Sequence, residues 1–108
     1  MITCIPRNFE MCGIPVKVIL DPELYKRDKK VGQANYLNQT IILDTSTLAL
    51  QSIEHTFYHE KIHYMLYILN LDELRNNEVF VDTLAYLLHQ SEKTSTDYYD
   101  STEIINGI

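Results

Sequence analysis

No apolar stretch in this chain approaches the length needed to cross a bilayer. The N-terminal Met-Ile-Thr-Cys-Ile-Pro-Arg lacks the basic start and the apolar block of a signal peptide. These two absences point to a soluble protein, expected in the cytoplasm and away from membranes. A basic patch is missing too, and the net charge is −6, so an electrostatic footprint for nucleic acid is not expected. No run of acid is long enough to act as an acidic tail. Cysteine is confined to Cys4 and Cys12, with no second pair to make a metal-site or redox spacing. They read as two reduced thiols, with a disulfide between them as the alternative. There is no internal repeat, and 108 residues make one domain with a modest core.

What is present begins with strand signals. Residues 1–13, with Pro6 and Gly13, show no sustained period and read as an irregular lead-in or a short helix around Arg7 to Cys12. Ile14 to Leu20 is rich in β-branched residues and stops at Asp21-Pro22, a turn signal. Glu23 to Lys30 is charged and reads as a surface loop or one helical turn. Val31–Leu37 and Gln39–Asp44 read as two strands joined by a tight turn near Asn38. Gly32 marks a bulge or a close backbone approach. The three strands together predict a small antiparallel sheet.

Thr45-Ser-Thr predicts a helix start, because a hydroxyl there can cap free N–H groups. From Leu48 to Leu69 there is no glycine or proline, and apolar residues fall on nearly every side. Such a helix is a central one, covered on most faces. Within it His59-Glu60-x-x-His63 puts two imidazoles on one face, one turn apart, where both can offer a nitrogen to one metal ion. Glu60 points about 100° away, placed to hold a metal-bound water without being a ligand. Two core or surface imidazoles would give the same spacing, so the pattern needs a third donor. His55 extends the ladder and reads as a supporting or helix-packing imidazole.

The polar Asn70 to Asn77 breaks this helix, and a second one follows from about Asn77 to Gln90. On it Glu78, Asp82, Ala85 and His89 share a narrow stripe between apolar neighbours. Either that stripe is a solvent face or a cation meets its two carboxylates. A catalytic zinc takes three protein ligands and keeps one position for water. From His63 to Leu69 the helix rises about 9 Å, and residues 70–77 span up to roughly 26 Å, so Glu78 can return level with the histidines. Asp82, one turn on, suits the free N–H of a ligand imidazole. His89 lies about 16 Å beyond Glu78 and is too far to share the ion. Residues 91–108 read as a polar tail of low order, after a domain spanning 1–90.

His59-Glu60-x-x-His63 followed by Asn77-Glu78-x-x-x-Asp82 resembles the gluzincin pattern. The layout is similar to the compact ImmA/IrrE-type metallopeptidases of phages and mobile elements. That resemblance covers residues 14–90. It implies a minimal zincin-like α+β domain, with the small antiparallel three-stranded sheet packed on a central HExxH helix and a following Glu-bearing helix. It implies Zn2+ held by His59, His63 and Glu78, Glu60 as general base, and Asp82 in support of a ligand histidine. The expected activity is hydrolysis of a peptide bond in an intracellular protein target, often a repressor. The alternative is an inactive zincin-like module that binds a regulatory protein. The residue after the Glu, apolar in such motifs, is here Lys61, which projects away from the histidine face. A peptide substrate is expected to lie extended along a free edge of the sheet. Tyr64 and Tyr36 are among eight tyrosines from which an oxyanion-stabilising group would come.

Overall fold

The computed structural model describes residues 2–107. Strand β2 (Ile14–Asp21) carries the alternation that β-branched residues favour, with Val16 and Val18 turned into the core and Lys17 out. Before it comes β1 (Asn8–Met11), paired antiparallel with β2 so that Met11 faces Ile14. Residues 2–7 are irregular as expected, whereas Asn8–Met11, where a short helix was the alternative, is half of a hairpin. Cys12 and Gly13 form its two-residue turn, both with positive φ (51° and 75°), the backbone that a tight hairpin of the I′ kind requires. Both cysteines are free.

After β2 the chain makes one short helix, α1 (Leu24–Asp28), whose Leu24 is fully buried. It then runs out as β3 (Gly32–Asn35) and back as β4 (Thr40–Asp44). The turn between them has its positive φ at Gln39, one residue beyond Asn38. The crossover through α1 and β3 lets β4 return beside β2 in the same direction, Lys17 opposite Thr40 and Asp21 opposite Asp44. The expected three-stranded antiparallel sheet is thus a four-stranded mixed one, in the order β1-β2-β4-β3. The pairing antiparallel to β4 belongs to β3, which lies at the edge.

Helix α2 (Leu50–Ile68) lies against this sheet, with Ile53, Phe57 and Ile62 buried together with Val16, Ile41 and Leu43. Burying each such side chain contributes roughly 1.5–3 kcal/mol. Two further helices follow, α3 (Asp72–Arg75) and α4 (Glu78–Thr94), and α4 closes over α2 through Val81 and Ala85. Helix α4 runs past Gln90, and a short α5 (Ser101–Ile105) with a capping box between Asp100 and Glu103 gives the tail a local structure of its own. The architecture is α+β. No helix among the described residues is long and apolar enough to cross a membrane.

The Thr45-Ser-Thr segment does not cap α2. The N-cap is Ala49, which makes no side-chain cap bond. Ser46 and Thr47 instead turn back to Asp44, a fully buried carboxylate. Asp44 accepts bonds from the N–H groups of Tyr25, Ser46 and Thr47 at 3.0–3.1 Å and from the Ser46 and Thr47 hydroxyls at 2.9–3.0 Å. A charged acceptor at that distance outcompetes a helix end four residues away.

The Tyr25 N–H bond, followed by those from Ser46 and Thr47, outweighs burial and holds the Asp44 carboxyl at about 2, below its ordinary 3.8. A lowered acid stabilises the fold fully above its unfolded value and loses that contribution as pH falls through the folded one. Asp44→Asn should therefore melt well below the wild type at neutral pH. The gap between the two should narrow as pH falls from about 4 towards about 2, followed by circular dichroism.

Candidate metal centre

Without glycine or proline, α2 stays a single rod, and His55, His59 and His63 stack on the face turned to α4. The helix ends at Asn70, whose left-handed φ of 57° completes a Schellman turn: Leu71 N–H donates to Leu66 C=O and Asn70 N–H to Tyr67 C=O. Asn77 then caps α4 by accepting from Phe80 N–H at 3.1 Å. These two caps place Glu78 at the first turn of α4, beside the histidines.

The polar stripe of α4 is only partly a solvent face. Ala85 in its middle is fully buried, and each polar member meets α2. Glu78 and Asp82 still keep much of their surface in solvent, as do the outward-facing Val79 and Leu87. The Glu78 carboxylate lies 3.2 Å from His59 Nε2 and 3.3 Å from His63 Nε2, although its side chain is 66% exposed on the far side. The two Nε2 atoms are themselves 3.2 Å apart. The three residues form a group able to hold a metal ion, one donor atom from each within 4.8 Å of the others. Ligands at 2.0–2.1 Å from a tetrahedral zinc stand about 3.3–3.4 Å from one another; the nitrogen–nitrogen distance is close to such an edge, and the Glu78 carboxylate turns Oε2 to His59 and Oε1 to His63.

Protonation points the same way. Asp82 Oδ1 lies 3.3 Å from His59 Nδ1 and Glu78 Oε2 3.2 Å from its Nε2, so a neutral His59 has an acceptor on either side, and a metal ion on Nε2 would leave the proton on Nδ1, donating to Asp82. Burial pushes His63 below its ordinary value, and neighbouring His59 pushes it the same way, favouring the neutral ring. Two rings and a carboxylate brought this close suit a cation.

Glu60, half-buried, takes no part in this triangle. Burial raises its carboxyl to about 6; the charge of His59 works against that rise, and that of Glu78 adds to it. The nearby backbone of Ala34 in β3 also works against the rise. The close approach expected at Gly32 is confirmed by its surroundings. A Cβ there would stand 2.5 Å from Thr56 Cγ2 and 3.1 Å from both Glu60 Cγ and Glu60 Oε2. A cleft of about 330 Å³ opens beside it, bounded by Gly32, Thr56, His59, Glu60 and Asp82.

His89 is not near the triangle. It donates to Glu54 Oε1 at 3.2 Å, and Glu54 also accepts from Lys93 at 3.0 Å and from Cys4 N–H at 3.1 Å. Burial alone would raise this fully buried carboxyl, but the Lys93, Cys4 and His89 bonds together hold it below its ordinary value. Sequence reasoning missed this ion pair; the only trace was His89 and Lys93 four apart on α4. Lys61 lies over the rings of Phe9, Phe57 and Tyr58 at 5.1–5.8 Å, which explains a cation at that position. Tyr64 is buried, while the Tyr36 ring stacks on Tyr67 at 4.1 Å beneath the Arg75 guanidinium.

No protein-family model matches this chain, and neither does a curated protein or a solved structure, so the chemistry of the centre is argued from its own geometry.

Gly32→Ala should destabilise the fold by about 1–3 kcal/mol through overpacking, read by thermal denaturation. Thr56 cannot rotate away freely, since its hydroxyl donates to Ser52 C=O at 2.9 Å. Trimming it with Thr56→Ser should recover part of the loss; equal stability of Gly32→Ala and wild type would contradict the packing described.

Proposed function

We propose that this protein is a zinc-dependent endopeptidase with a minimal zincin-like arrangement of helices and edge strand. Its substrate is a peptide bond in an intracellular protein such as a repressor. The observation that carries the proposal is the meeting of His59 Nε2 and His63 Nε2, 3.2 Å apart, with the Glu78 carboxylate, whose Oε2 lies 3.2 Å from the first and Oε1 3.3 Å from the second, and a half-buried carboxylate, Glu60, beside them.

Zinc bound there would supply Lewis acidity, lowering the pKa of water towards about 7 and polarising a carbonyl. The remaining work falls to side chains of the chain itself. Glu60 takes a proton from the attacking water and hands it to the leaving amine, a task suited to an acid raised to about 6. Asp82 keeps the His59 ring in the Nδ1–H tautomer, with Nε2 free to ligate. The edge strand β3 offers its unpaired side to an extended peptide. Because β3 lies against Glu60 at Gly32, a strand added along that edge passes the base. The gluzincin resemblance of residues 59–63 and 77–82 agrees with these roles.

Elemental analysis and digestion of casein or a repressor test the proposal together. Glu60→Gln should retain one zinc per chain and lose turnover by at least about 100-fold, whereas His59→Ala should lose both. Undiminished hydrolysis by Glu60→Gln would refute the role of Glu60. Zinc binding without hydrolysis by the wild type, or by chelated and loaded protein alike, would leave a binding module in place of an enzyme.

A further inference from the structure

His55 lies one turn before His59 on α2, and its Nε2–H donates to Asp82 Oδ1 at 2.8 Å. The same oxygen receives His59 Nδ1–H at 3.3 Å. These two bonds are unequal: 2.8 Å is the length of a strong charge-assisted bond, and 3.3 Å lies beyond the usual range. The Asp82 side chain is 61% exposed, so the weaker bond alone would compete poorly with water for the carboxylate. What aims Asp82 at the histidine face is therefore His55.

His55 is also poorly explained as a packing residue. With its proton on Nε2, its Nδ1 carries a lone pair that is buried and has no hydrogen-bond partner. A leucine in that space between α2 and α4 would avoid the unmet acceptor. The ring is steadied edge-on to Tyr86 at 6.1 Å and tilted against His89 at 6.4 Å, which leaves Nε2 facing Asp82.

We propose that His55 is a positioning residue for the cation site, acting through Asp82 on the orientation and tautomer of His59. The inference rests on the metal-centre reading above. His55 does not touch the ion; it makes Asp82 a fixed acceptor, and the His59 Nε2 lone pair points at Glu78 and His63 as a result.

The test is zinc affinity, measured by competition with a chromophoric chelator, together with the visible spectrum of the cobalt-substituted protein. Both are read on His55→Leu, His55→Gln, Asp82→Asn and the His55→Leu/Asp82→Asn double variant, with folding checked by circular dichroism. His55→Leu should weaken zinc about tenfold and shift the cobalt bands, as outer-shell partners of ligating histidines typically do. His55→Gln, whose amide N–H can take the place of Nε2–H, should recover most of the affinity. In the Asp82→Asn background His55→Leu should change affinity less than about twofold, because the route is already cut. An equal loss in both backgrounds, or no loss on His55→Leu where Asp82→Asn weakens binding, would overturn the proposal while leaving the metal centre standing. A wild type that takes up no zinc would overturn the centre itself, and the role of His55 with it.

Discussion

Two imidazole nitrogens 3.2 Å apart meet the Glu78 carboxylate between α2 and α4, with Oε2 3.2 Å from His59 and Oε1 3.3 Å from His63. Most of the architecture can be understood as what holds them together. Val81 and Ala85 press α4 onto α2, and at the far end of α4 the fully buried Glu54 gathers His89, Lys93 and the Cys4 N–H. The helix is thus anchored along its length before Glu78 reaches the histidines. Breaking the Glu54 cluster on one side would leave a buried charge unmatched, so its members act as a unit.

The sheet contributes a position more than a surface. The parallel pairing of β2 and β4 puts β3 at the edge, and Gly32 lets its backbone sit against Thr56 and Glu60. That contact removes water from the Glu60 carboxyl and raises it.

Helices α2 and α4 and the residues His59, His63 and Glu78 that they bring together could be read from the chain because their signals are local, whereas α3 and α5 could not. An uninterrupted apolar run gives α2, the four-residue spacing gives the shared face of His59 and His63, and the reach of residues 70–77 brings Glu78 back. The sheet was less legible. β1 is only Asn8–Met11, alternately exposed and half-buried, and Cys12 gives no hint of its positive φ. Parallel pairing of β2 with β4 depends on where the crossover goes, which no local pattern records. Thr45-Ser-Thr looked like a cap because hydroxyls before an apolar run usually are, yet the buried Asp44 takes them first. Glu54 and its partners are 35 to 50 residues apart and individually ordinary, so only the folded chain shows them as a cluster.

Zinc K-edge X-ray absorption of the loaded protein measures the convergence most directly. The account predicts one tightly held ion, with two imidazoles and light-atom ligands completing a shell of four at about 2.0–2.1 Å. A six-coordinate shell of oxygen with one imidazole or none, the signature of an ion held loosely at an acidic surface, would contradict it.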